Sequence, residues 1–91
     1  MKVKNLNNTA GKVCGCGTWL QHWKNYTKKS NSLCGNLSCG ASSEVGAHVK
    51  KVGVAGEHYI VPFCKKCNSI SSDDEITIWE GVDLVLASCC K

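Results

Sequence analysis

Two cysteine pairs limit what this chain can fold into more than any other feature of it. Cys34-Gly35-Asn36-Leu37-Ser38-Cys39 and Cys64-Lys65-Lys66-Cys67 each put two thiols on one short turn, and 24 residues separate the pairs. Structural zinc takes four ligands at the corners of a tetrahedron, and a turn with two to four residues between cysteines directs both sulfurs at one ion. The intervening length suits a hairpin that returns the chain to the first pair. Cys64-x2-Cys67 is the stronger half, because a strand-like run enters it and the turn amides can point at the thiolates. Cys34, Cys39, Cys64 and Cys67 are therefore the expected ligands of one zinc ion. The competing use of the same thiols is a set of disulfides, as in a secreted, disulfide-rich domain.

Size and compartment weigh between the two. A chain of 91 residues forms one domain whose core alone supplies little stability, so a metal or a covalent staple is expected to help hold it. The opening run Met1-Lys2-Val3-Lys4-Asn5-Leu6-Asn7-Asn8 has no apolar stretch of the signal-peptide kind. No run approaches the roughly 18 apolar residues of a membrane span. The expected setting is cytoplasmic and reducing, with no membrane partner, which favours metal over disulfide. Cys14-Gly15-Cys16 and the adjacent Cys89-Cys90 leave three readings open: a second zinc site tying the chain ends together, a disulfide between Cys16 and a terminal cysteine, or four free thiols. One residue or none between ligands is awkward geometry for a tetrahedral ion.

The formal charge is +4, and a four-thiolate zinc site lowers it by two. Residues 1–66 hold ten lysines against Glu44 and Glu57, whereas residues 67–91 hold Lys91 against Asp73, Asp74, Glu75, Glu80 and Asp83. All eleven basic residues are lysine. Without arginine the chain lacks the side chain suited to bidentate recognition of guanine, so base readout is disfavoured while attraction to phosphate is not. Lys50, Lys51, Lys65 and Lys66 could line one surface of the hairpin and meet a nucleic-acid backbone; the plain alternative is solvated lysines that keep a small domain soluble.

Along the chain, residues 1–13 are polar and aperiodic and read as a flexible lead-in, followed by a single domain over 14–91. Thr18-Trp19-Leu20-Gln21 fits a reciprocal capping box. Trp19, Leu20, Trp23 and Tyr26 recur at helical spacing, and Lys28 and Lys29 suit the negative end of a helix dipole, so the pattern predicts an amphipathic helix over 18–29. His22 lies beside the apolar stripe and reads as solvated, His58 as support for the hairpin loop. Val45–Val49 and Tyr59–Phe63 read as one hairpin, with Pro62 at an edge or a strand exit because it cannot donate to a ladder. Glu75–Trp79 and Leu84–Ala87 read as a second. Trp19, Trp23 and Trp79 read as core rather than stacking platforms. The fold class is α+β.

A family pattern is carried by Val45-Gly46-Ala47-His48-Val49, a loop, and Ile60-Val61-Pro62-Phe63-Cys64-Lys65-Lys66-Cys67-Asn68. Over residues 34–68 the chain resembles the HNH nuclease motif. In that family a treble-clef zinc site carries a hairpin whose first strand holds a histidine, and whose second enters C-x-x-C through a leucine-proline-type run followed by histidine or asparagine. The resemblance implies a small zinc-stabilised, treble-clef-like fold. It places His48 at the general base that activates water against a phosphodiester, and Asn68 at the last metal-binding position. Two departures stand out. Tyr59 falls where the family has its middle asparagine, and Ser69-Ile70-Ser71-Ser72 followed by acids stands where the family continues into a helix. The chain is also similar to small bacterial cysteine-rich proteins with C-G-x-W, G-A-H-V and I-V-P-x-C-K. The first expectation is thus a non-catalytic zinc module that binds nucleic acid or a protein; the second is a divergent metal-dependent nuclease using His48. A shared fold is not a shared reaction.

Overall fold

A computed structural model describes residues 2–6, 18–28, 33–53, 56–71, 73–78 and 81–87. In chain order the elements are β1 (Lys2–Asn5), α1 (Trp19–Thr27), β2 (Val45–Lys51), β3 (Tyr59–Phe63), α2 (Lys65–Asn68), β4 (Glu75–Thr77) and β5 (Val85–Leu86). The strands form one antiparallel sheet in the order β4-β1-β2-β3-β5. This is an α+β arrangement. No described helix is long and apolar enough to cross a membrane.

The expected first hairpin is present: β2 pairs with β3, Val45 opposite Phe63 and Val49 opposite Tyr59. Pro62 lies within β3, opposite Gly46. β5 reaches only Tyr59 and Ile60, so Pro62 sits past the end of that pairing, and its carbonyl accepts the Gly35 N–H at 2.7 Å.

Three expectations are corrected. Residues 2–5 are not a lead-in but a strand held between β2 and β4, and Val3 is fully buried. Lysine and asparagine are poor strand formers, and one β-branched residue in four gives little local signal; the pairing is imposed by partners far along the chain. The second hairpin does not form. β4 pairs with β1 and β5 with β3, at opposite edges of the sheet. Instead of turning back after β4, the chain bridges Ile78 to Asn36 of the first cysteine turn. His22 is fully buried rather than solvated, with Nε2 3.1 Å from the Leu86 carbonyl oxygen.

The helix begins where expected. The Thr18 side chain accepts from the Gln21 N–H at 3.0 Å. Gln21 does not reach back, however; its amide donates forward to Asn25 at 2.9 Å, so the cap is one-sided. Lys28 closes the helix in a left-handed conformation (φ 59°), and Lys29 lies outside the described residues. Trp23 is buried and donates from Nε1 to the Asp83 carbonyl at 2.7 Å. Tyr26, expected on the apolar face, is half exposed. Trp79 lies outside the described residues.

Side chains alternate across a strand, and here the two faces have separate tasks. Val3, Ala47, Val49, Val61, Phe63 and Ile76 pack with Cys34, Cys64 and Cys67 on one face. The other face receives α1. Gly46 makes that contact possible, since a Cβ there would lie 2.4 Å from Trp19 C and Leu20 N. His48, two residues on, meets the Trp19 ring edge to face at 4.3 Å between centroids.

Candidate metal centre

The four expected cysteines converge. Their Sγ atoms all lie within 4.8 Å of one another, with Cys39 and Cys64 at 3.8 Å. A tetrahedron with metal–sulfur bonds of about 2.3 Å has edges of about 3.8 Å, so the spacing is that of ligands around one ion. None of the four is in a disulfide. Together they could hold a metal ion.

Local sequence explains how each thiol is placed. In the first turn the Asn36 side chain accepts from the Ser38 N–H at 3.0 Å, and the Asn36 carbonyl from the Cys39 N–H at 2.9 Å. Together these bonds curl Cys39 back toward Cys34. The turn is anchored by Cys34 N–H to the Ala41 carbonyl, Gly35 N–H to that of Pro62, and Leu37 N–H to that of Thr77. A Cβ on Gly35 would sit 3.0 Å from the Pro62 oxygen and Val61 Cγ2, so glycine permits the turn to lie against β3. In the second turn Cys64 is the N-cap of α2, and its sulfur accepts the Cys67 N–H at 3.4 Å.

Two residues missed in the sequence complete the centre. Asn36 donates from Nδ2 to Cys67 Sγ at 3.4 Å. Asn5, from β1 and only 2% exposed, donates to the Cys67 and Ile70 carbonyls at 2.9 and 3.0 Å. Asn36 stood inside the cysteine turn, where a side-chain donor near sulfur is a readable signal. Asn5 carried none, because its partners lie more than 60 residues away.

Burial and hydrogen bonding set the acidities of the thiols apart. Burial pushes the Cys67 thiol up to about 12, outweighing the Asn36 hydrogen bond. Burial also raises Cys34, with the backbone N–H groups of Asn36 and Cys64 pulling it partly back. Cys64 is lowered, first of all by the Cys67 N–H. Three of the thiols are buried, while Cys39 is half-buried and gives access from solvent.

No family model, curated protein or solved structure matches the chain. What the centre can do is set by its own geometry.

The remaining candidates do not join it. His48 faces α1 and is 6% exposed, whereas its strand neighbours Ala47 and Val49 face the cysteines. Asn68 has an exposed side chain, and its N–H bonds the Cys64 carbonyl to close α2. Sheet and cysteine core thus stand between the proposed base and the proposed metal position. Lys65 and Lys66 follow the end of β3, while Lys50 and Lys51 end β2 at the opposite end of the hairpin. Six residues of strand, about 20 Å, separate the two lysine pairs. Cys14, Cys16, Cys89 and Cys90 lie outside the described residues.

Proposed function

We propose that the chain is a structural zinc module of treble-clef type, non-catalytic and acting through what its surface binds. The observation that carries this reading is the convergence of four sulfurs within 4.8 Å. Four thiolates with no oxygen or nitrogen ligand suit zinc among the divalent ions. The order of cysteine turn, hairpin and helical turn supports the treble-clef assignment, although α2 stops after four residues. Zinc bound by such sites supplies on the order of 10–16 kcal/mol at neutral pH, against a net stability of about 5–15 kcal/mol for a whole domain. Metal binding is therefore of the same order as the whole net stability of such a domain.

The burial of His48 under Trp19 speaks against a nuclease, because a general base must reach the water it activates. Native mass spectrometry of the intact chain tests the proposal. One zinc per chain is expected, and none in Cys67→Ser, whose NMR amide dispersion should collapse as well. A well-dispersed Cys67→Ser spectrum without bound metal would overturn it.

A further inference from the structure

The four sulfurs do not stand alike toward solvent. Cys34 is fully buried and Cys64 and Cys67 are each 4% exposed, whereas Cys39 is half-buried. Leu37, Ser38 and Gly40 around it are exposed, and no atom lies within 4 Å of where a Cβ would stand on Gly40. A small solute therefore reaches Cys39 first.

Cys39 also meets the other turn. Its sulfur lies 3.8 Å from that of Cys64, 25 positions along the chain. A disulfide needs about 2.0 Å between sulfurs, and the tip that carries Cys39 can supply the movement. The bonds that tie this turn to the sheet leave from Gly35 and Leu37, ahead of the tip, while the Cys39 N–H bonds inside the turn to the Asn36 carbonyl. The other sulfurs are placed differently. Cys67 Sγ accepts from Asn36 Nδ2 at 3.4 Å, and Cys34 belongs to the same turn as Cys39. A bond from Cys39 to Cys64 thus joins the two turns that one ion would join, which a bond inside either turn does not.

We propose that hydrogen peroxide closes a Cys39–Cys64 disulfide, which displaces the ion and takes over its task of stapling the two turns. The exchange rests on the zinc reading, since the same sulfurs hold the metal. One peroxide oxygen passes to the Cys39 thiolate and the O–O bond breaks, giving a sulfenic acid. The Cys64 thiolate then attacks that sulfur; the S–S bond forms and the S–O bond breaks. Each sulfur loses one electron, the peroxide gains two, and protons from solvent complete two water molecules. Only two ligands remain, too few for a tetrahedral structural site. The new bond closes a loop across 25 positions, and restricting the unfolded chain in this way favours the fold.

The test uses the full chain. Its zinc content is first measured under reductant by native mass spectrometry; reductant is then removed and hydrogen peroxide added in the presence of a chelating indicator. Release of the bound zinc is expected, together with a cross-link between tryptic peptides 30–50 and 52–65 that fragmentation assigns to Cys39 and Cys64. The metal-free product should keep its NMR amide dispersion, and dithiothreitol with added zinc should restore the starting spectrum. Cys39→His leaves a set of three cysteines and one histidine but no sulfur at the exposed position, so it should hold its zinc at a peroxide dose that empties the parent. If that variant binds no zinc, the bond mapped in the parent decides alone. A dominant bond inside either turn, pairing with Cys14, Cys16, Cys89 or Cys90, or a collapsed spectrum after clean Cys39–Cys64 closure would each overturn the proposal. Zinc-free protein at the first measurement would instead refute the zinc reading, and the displacement with it.

Discussion

At the scale of single residues, proton and metal compete for the same sulfurs. Cys34 and Cys67 hold their protons at neutral pH, since burial raises both above the ordinary thiol value of 9.0. Each must lose its proton to bind metal, so one ion should release at least two protons, measurable by calorimetry in buffers of different ionisation enthalpy. Affinity should then fall by at least about a hundredfold per pH unit on acidification. The sign distinguishes this from the metal-free fold. A thiol raised from 9.0 to about 12, as Cys67 is, favours folding below 9.0 and loses that contribution as pH rises toward 12. Metal-loaded protein should instead lose stability as pH falls, and midpoints that decline only toward alkaline pH would mean that metal does not hold the fold. Asn5 belongs to the same scale. Truncation in Asn5→Ala strands the Cys67 and Ile70 carbonyls and should cost about 2–3 kcal/mol in denaturant unfolding, with weaker zinc retention against a chelator. The cysteine ligands were legible because their spacing is a geometric requirement of the ion. Asn5 was not, because only the closed sheet makes it a neighbour of the metal turn.

Among the elements, the readable ones carry their reasons locally. Thr18 at the helix start and the β-branched and aromatic run of β3 are signals contained within a few residues. β1, β4 and β5 are four, three and two residues long, too short for alternation to specify a partner. Two runs separated by Glu80-Gly81 looked like a hairpin, but the bridge from Ile78 to Asn36 leads the chain elsewhere. The helix–strand contact at Gly46 is the element-scale feature most exposed to mutation. Gly46→Ala would drive a methyl group into the backbone of Trp19 and Leu20, atoms that can yield only if α1 moves as a whole. A loss of about 1–3 kcal/mol is expected, read by urea unfolding, with zinc stoichiometry unchanged because the cysteines lie on the other face. A variant as stable as the parent would show that α1 rests less tightly on β2 than its contact implies.

For the molecule as a whole, the four cysteine ligands all lie within residues 34–67, whereas the sheet draws strands from residues 2–5 to 85–86. Replacing Cys14, Cys16, Cys89 and Cys90 together should therefore leave one tightly bound zinc by mass spectrometry; a metal-free product would mean that they share in the site. The placement of β1 bears on the order of events in folding. Its partners are residues 49–51 on one side and 75–77 on the other, so its two ladders close loops of more than 40 and 70 residues, the kind of contact that forms slowly. Refolding with cobalt in place of zinc should then proceed in two stages. Thiolate-to-metal absorbance should rise first, as the local hairpin captures the ion, and tryptophan fluorescence should follow when Trp23 docks on Asp83. A single shared rate would instead mean that ion capture waits for the sheet. On the two-stage course, β1 joins a hairpin that already carries its ion, so the sheet is finished around a site that was loaded before it.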